Sequence, residues 1–210
     1  YQQEANADSL AWDSVRHIVI IPNYKEEMAT LCATLESLAQ QYEARQRMII
    51  VLAMEGGESG AEAKAQQLIA QFQDRFAHVF YTLHPRGLPS EMQCKSSNEA
   101  WAGRWIKRRL IDELGWDINT LLVTTMDADT LWHPEYFYAL TYLFAINPQR
   151  HLRYWQAPIR YHANIWDINP LLRIVNAYSG AFELAYLASP WWKPMPMSSY
   201  TLSLRLLEAS

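Results

Sequence analysis

The chain has 210 residues, 50% apolar and 19% charged, which suits a globular domain with a sizeable core and excludes global disorder. Eighteen basic against 22 acidic residues leave a net charge of −4, so a general nucleic-acid binder working through a basic surplus is excluded. Cys32 and Cys94 form no C-x-x-C pair, which argues against a thioredoxin motif or a thiolate zinc site and for two reduced thiols.

In chain order, the polar opening residues show no secretory signal, and the segment before His17 reads as a leader, mobile over its first ten or so residues. His17-Ile18-Val19-Ile20-Ile21 is a short, continuous β-branched run ending at the turn signal Pro22-Asn23, as expected of a strand buried on both faces. From Glu26, Met28, Leu31, Cys32, Leu35, Leu38 and Tyr42 recur at helical spacing. Met48 to Met54 reads as a second buried strand, closed by Glu55-Gly56-Gly57. Ala65, Leu68, Ile69, Phe72 and Phe76 mark a second helix, and His78 to Leu83 a third strand.

After a Pro- and Gly-bearing loop, Ser97 to Leu114 reads as a helix and Leu121 to Met126 as a fourth strand, terminated by Asp127-Ala128-Asp129. A helix is expected over Pro134 to Ile146, and a strand over Tyr154 to Tyr161, irregular because of Pro158. Leu171 to Leu187 reads as helical, Pro190 to Pro196 as a break, and a last helix is expected from Ser198 or Ser199. No run of about 20 uncharged apolar residues is present to span a bilayer. The alternation predicts an α/β fold, a mostly parallel sheet with helices on both faces, forming one domain over 17–210 behind a 1–16 leader. In such sheets ligands bind beyond the carboxyl ends of the strands.

Four clusters fall at that edge. Asp127 and Asp129 follow a strand directly: one carboxylate can reach a ribose hydroxyl and the other a divalent metal holding a diphosphate, hard-oxygen chemistry suited to Mg²⁺ or Mn²⁺. The bland alternative is an acidic loop capping the next helix. His133 reads as a residue of that helix's start rather than a further ligand. Pro22 to Glu27 offers Tyr24 for packing on a nucleobase and Glu26 or Glu27 as an acceptor for base or ribose, or merely acidic residues at a helix's first turn. Glu55 is either an acceptor for base or ribose or an ordinary turn residue. Lys95, with Ser96, Ser97 and Asn98, opens a helix and suits phosphate, or is a solvated lysine beside a serine cap; no P-loop is present. Trp191-Trp192-Lys193-Pro194 offers paired indoles to a sugar acceptor or a membrane interface, or anchors a loop.

Together these clusters resemble the family-2 glycosyltransferases of GT-A fold, the group of cellulose- and hyaluronan-synthase-like enzymes. The resemblance rests on Ile20 to Glu27, similar to a "P-x-Y-N-E" signature, on Cys94 to Asn98, similar to "G-K-x-x-x-N", and on Thr124 to Thr130 around the D-x-D. It departs at Asn23 and Lys25, has Cys94 in place of glycine, and has Glu55 where aspartate is common. It implies a nucleotide-sugar donor, a UDP-sugar first, lying along Pro22, Tyr24, Glu26, Glu55, Lys95 and Asp127. A metal would sit at Asp129 with Asp127, and the sugar would pass with inversion to a carbohydrate or lipid-linked acceptor. The family's acidic base motif and "Q-x-x-R-W" segment are not found, so the base is expected beyond Ser210. The chain is then a piece of a longer protein, membrane-bound through other parts, with this domain at the cytoplasmic face. The rival readings are a non-catalytic or truncated nucleotide-sugar-binding module and a haloacid-dehalogenase-type phosphatase; the latter wants Thr or Val where Leu131 stands. A sugar nucleotidyltransferase would need a glycine-rich loop that Pro22 to Glu27 lacks.

Overall fold

The computed structural model describes residues 1–210 except Gln3, Ser90, 159–165, Asp167, Pro190, 192–197 and Ser210. Six strands form one sheet: β1 (Arg16–Asn23), β2 (Met48–Glu55), β3 (His78–His84), β4 (Leu121–Thr125), β5 (Tyr154–Trp155) and β6 (Tyr200–Ser203). Their spatial order is β3-β2-β1-β4-β6-β5. The first four strands pair in parallel, with His17 opposite Met48 and Leu122, while β6 runs antiparallel to both β4 and β5.

Strand β1 shows why helices must cover both faces. Successive side chains alternate across a sheet, so Val19 and Ile21 enter one apolar layer and Ile18 and Ile20 the other, all essentially inaccessible. The first layer is closed by α1 (Met28–Ala39), α3 (Ala61–Phe72) and α5 (Tyr136–Ile146). The second is closed by α4 (Lys95–Ile106) and α7 (Leu204–Ala209). The short helix α2 (Ala44–Arg47) leads into β2, and α6 (Pro170–Ala188) has no buried residue. The helix expected to Leu114 continues past α4 as a wider π-helical stretch, Lys107–Glu113.

Three expectations are corrected. The opening segment is docked rather than mobile: Leu10 N–H donates to the Ala145 carbonyl, and the Trp12 ring packs edge-on to Tyr138. Buried Arg47 ion-pairs with Asp13 and hydrogen-bonds the Trp12 carbonyl, so aromatic packing and one buried guanidinium hold the segment. The chain from Tyr200 is a strand before it is a helix, because it pairs with β4. The strand expected over Tyr154 to Tyr161 is formed only at Tyr154–Trp155, and its last positions lie outside the described residues.

His17 stands at the start of β1, fully buried, with Nε2 2.7 Å from Thr141 Oγ1 on α5. Burial first, and the Arg47 charge second, lower its pKa from 6.5 to about 3. The folded state therefore binds fewer protons than the unfolded chain between those values, and stability falls as pH drops below 6.5. A His17→Gln variant is expected to be about 1–2 kcal/mol less stable at pH 7, from repacking and hydrogen-bond loss. It should lose less further stability between pH 6.5 and 5 than wild type, measured by urea denaturation across that window.

Candidate functional site

A cleft of about 690 Å³ opens at the carboxyl ends of β1, β2 and β4 and is lined by Pro22, Tyr24, Glu26, Glu55, Lys95, Asp127 and Asp129. The seven residues to which the resemblance assigns donor and metal all line this one cavity, together with Asn23, Gln93, Cys94, Asn98 and Ala128, whereas Ser96, Ser97 and Trp191 do not. The strand order explains the convergence. β2 lies on one side of β1 and β4 on the other, so their outgoing loops diverge and leave a crevice above β1.

The loop after β1 turns at Lys25, whose φ of 63° is left-handed. A residue missed by sequence reasoning holds that turn. Glu58 Oε2 accepts from the Lys25 N–H at 2.7 Å and from Asn23 Nδ2 at 2.8 Å, while its Oε1 pairs with Lys64. Lys64 Nζ also reaches the Glu26 carbonyl at 2.8 Å. Partial burial pulls the Glu58 carboxyl upward, but the Lys64 hydrogen bond, the Lys25 N–H, the Lys64 charge and the Asn23 amide together hold it below its ordinary value. Tyr24 is thereby left half exposed, with Lys25 Nζ 5.1 Å from its ring centre.

Glu55, at the end of β2, is buried, and its carboxylate is already engaged. His84 Nδ1 lies 3.2 Å from both oxygens, and Gln93 Nε2 donates to Oε2 at 3.0 Å. His84 Nε2 lies 2.5 Å from Glu91, so one imidazole bridges two carboxylates. Glu55 is thus an oriented group rather than a free turn residue. Gly56 permits this approach, since a Cβ there would stand 2.8 Å from the His84 carbonyl oxygen.

Lys95 opens α4, and its Nζ donates to Asp127 Oδ1 at 2.5 Å, with Glu99 3.6 Å away one turn on. Asp127 Oδ2 accepts from Ser198 Oγ at 2.7 Å. Partial burial pulls the Asp127 carboxyl upward, but hydrogen bonds from Lys95 and Ser198 and the Lys95 charge hold it below the ordinary aspartate value. Glu99 behaves oppositely: burial raises its pKa to about 7, against the pull of Lys95 and with the push of Asp127. Asn98 points inward, donating from Nδ2 to the Ala53 carbonyl at 2.7 Å, which fixes α4 on β2.

The Asp127–Asp129 loop and the turn after it are gripped from α1 and the residues just past its end. Thr34 Oγ1 donates to the Ala128 carbonyl at 2.7 Å, Ser37 Oγ accepts from the Trp132 N–H at 2.9 Å, and Gln41 Nε2 donates to the His133 carbonyl at 2.9 Å. Asp129 remains exposed. His133 accepts locally from the Glu135 N–H at 3.2 Å, in keeping with a helix-start role. Cys94 is free and exposed; hydrogen bonds from Ser97, backbone first, lower its thiol pKa, whereas burial raises that of Cys32. Trp191 is 94% exposed, and Trp192, Lys193 and Pro194 lie outside the described residues.

The family profile described as "Glycosyltransferase like family 2" matches residues 16–161, more than half of the chain. The chain belongs to this family. The matched span begins with β1 and runs past β5. Among solved structures the chain is similar to mannosyltransferase PcManGT from Pyrobaculum calidifontis, in complex with GDP-Man and Mn²⁺. The likeness has a TM-score of 0.53 at 16% identity, covering 94% of this chain and 47% of that one. The chain therefore spans about half the length of that structure, whose fold, GT-A, it shares. No curated protein matches.

Two outcomes are expected. Glu58→Ala should release the Pro22–Glu26 loop and cost about 1–3 kcal/mol, because it strips a partly buried lysine and two N–H donors of their acceptor. The Glu58 contribution is present above pH 4.5 and lost as pH falls through the depressed folded value, so the difference from wild type in thermal melts should shrink below pH 4. Glu99→Gln should do the reverse of a destabilising change at alkaline pH. A carboxyl raised to about 7 stabilises least above that value, so the variant should gain up to about 2 kcal/mol on wild type at pH 8.5 and little at pH 5.

Proposed function

We propose that this family-2 glycosyltransferase domain binds a nucleotide-diphosphate sugar in the cleft and, within its parent protein, transfers the sugar to an acceptor hydroxyl with inversion. The carrying observation is that Lys95 and Asp127, bonded to each other and Asp127 also to Ser198, line with Asp129 a cavity also lined by Tyr24 and Glu55. Tyr24 offers a half-exposed ring for the nucleobase, Pro22 and Glu26 form the wall beside it, and buried Glu55 accepts from base or ribose. A negatively charged Asp127 beside a cationic Lys95 suits a diphosphate: Lys95 exchanges the aspartate for a phosphate oxygen, and Asp127 is freed toward the ribose or a cation.

Asp127 and Asp129 fit Mg²⁺ or Mn²⁺, which takes one or two protein carboxylates and completes its shell with phosphate oxygens and water. Among the described residues no cluster of three or more His, Cys, Asp or Glu forms a cation cage. That matches a metal held jointly with the donor rather than by protein alone. Bound there, it would neutralise charge on the leaving diphosphate. In the transfer, the acceptor oxygen forms a bond to the anomeric carbon as the bond from that carbon to the phosphate oxygen breaks, and a carboxylate base takes the hydroxyl proton. The similar mannosyltransferase is complexed with GDP-Man and Mn²⁺, which supports the nucleotide-sugar class and places GDP beside UDP as the donor nucleotide to test.

The test is calorimetric titration of UDP and GDP into the chain with and without Mn²⁺. One nucleotide should bind in the presence of Mn²⁺, and at least about tenfold more weakly without it or in Asp129→Ala, a loss of about 1.4 kcal/mol or more. Cys94 lines the same cleft, so iodoacetamide should label it before Cys32, and the bound nucleotide should slow that labelling. Absence of binding by a folded chain in any metal condition would sink the donor-site reading.

A further inference from the structure

Helix α6 is amphipathic in the reverse sense for a helix lying against a protein. Residues three and four apart share a helical face. Leu171, Ile174, Val175, Tyr178 and Phe182 make one such face, and all five are more than half exposed, Tyr178 by 75%. Asn176, Gly180 and Glu183 make the opposite face and are half-buried; Glu183 accepts a hydrogen bond from Gln156 Nε2, beside β5, at 3.2 Å. The half-buried side carries Asn176, Gly180 and Glu183 together with Leu187, while an uncharged aliphatic and aromatic stripe is presented outward. Soluble helices arrange these faces the other way round.

We propose that the outward face of α6 docks this domain onto the surface of a phospholipid bilayer. Four observations select lipid. The five outward residues carry no charge, and the two charges of the helix are used elsewhere: Glu183 on Gln156, and Arg173 on the Trp166 and Ile168 carbonyls. Exposed indoles stand at both ends, Trp166 with the Arg173 guanidinium 5.0 Å over its ring and Trp191 just past the helix. Amphipathic indoles belong at the headgroup level of a membrane. No helix among the described residues is long and apolar enough to cross a membrane, so α6 lies on the bilayer rather than through it. Nineteen residues give a helix about 28 Å long and, at a width of about 10 Å, a footprint of about 280 Å². That is well below the roughly 800 Å² per partner of a stable dimer, whereas a helix can enter a headgroup layer by itself.

Docking would also orient the cleft. Ten residues after Ala188 the chain reaches Ser198, whose hydroxyl bonds Asp127. The side of the cleft bordered by Ser198 is therefore tethered to the docked helix, which suits a lipid-linked or membrane-borne acceptor. The docking itself does not rest on the donor reading, and its test uses no nucleotide.

The experiment is flotation of the 210-residue chain with phosphatidylcholine vesicles, and with 3:1 phosphatidylcholine:phosphatidylglycerol vesicles. Wild type should float with both, and Tyr178→Glu/Phe182→Glu should lower the partition coefficient at least tenfold with an unchanged circular dichroism spectrum. Val175→Glu should give a smaller loss in the same direction. Failure to float, or flotation unaffected by the double variant, overturns the proposal. Flotation confined to the anionic vesicles and abolished by 0.5 M salt overturns it in favour of headgroup attraction by basic residues. Micromolar self-association that the double variant abolishes, without vesicle binding, assigns the face to a second copy.

Discussion

Strand β1 has no polar face, and most of the molecule follows from that. A strand with Val19 and Ile21 on one side and Ile18 and Ile20 on the other must be covered twice. Parallel neighbours and crossover helices are the way a chain of this length does so. With β2 and β3 laid to one side and β4 to the other, the loops leaving β1, β2 and β4 separate at their carboxyl ends. The cleft is the gap between them. Its polar residues occupy the last turn of an apolar scaffold, where the sheet runs out and hydrogen-bond partners must come from elsewhere.

Those partners share one logic. Backbone groups and carboxylates around the cleft are satisfied by side chains from distant elements: the Ala128 carbonyl by Thr34, the Lys25 N–H by Glu58, Glu55 by His84 and Gln93, Asp127 by Lys95 and Ser198. The cleft-lining groups are thus held in place by the protein itself, which on the proposed reading lowers the ordering cost of binding a donor. Opposite charges sit in contact within the cleft, so a diphosphate entering it exchanges one set of ionic partners for another. It does not have to bring anions into an acidic pocket unaided.

β1 and β2 were legible because each is an unbroken apolar run closed by a turn signal, and β3 and β4 because short runs rich in β-branched and aromatic residues lie between turn signals. The D-x-D and the Tyr24 loop were legible because they follow strands directly, and Lys95 because it stands with serines at a helix start. Glu58, His84, Gln93 and Ser198 were not legible: each is an unremarkable polar residue recruited by tertiary approach, with no local spacing to mark it. Strand β6 was hidden for the same reason. Tyr200-Thr201-Leu202-Ser203 is short and polar, and it is a strand because Thr201 Oγ1 meets Thr124 Oγ1 at 2.7 Å across the ladder. The docked opening segment was misread because its polar sequence conceals Trp12 and the buried Arg47 it serves.

The pairing of β6 with β4 joins residues 77 positions apart. Within the frame, β1–β2 and β2–β3 close short crossovers, whereas β1–β4 joins Arg16 to Leu121, a longer separation still. Closure entropy rises with loop length, and long-range strand pairings are slow to form. Ser198 borders β6 and is one of the two groups shown bonding the Asp127 carboxylate. During synthesis, therefore, the sheet can be laid down while the aspartate loop still lacks one of its clamps. The cleft matures only when the chain beyond α6 has emerged and its last strand has returned to the centre of the sheet.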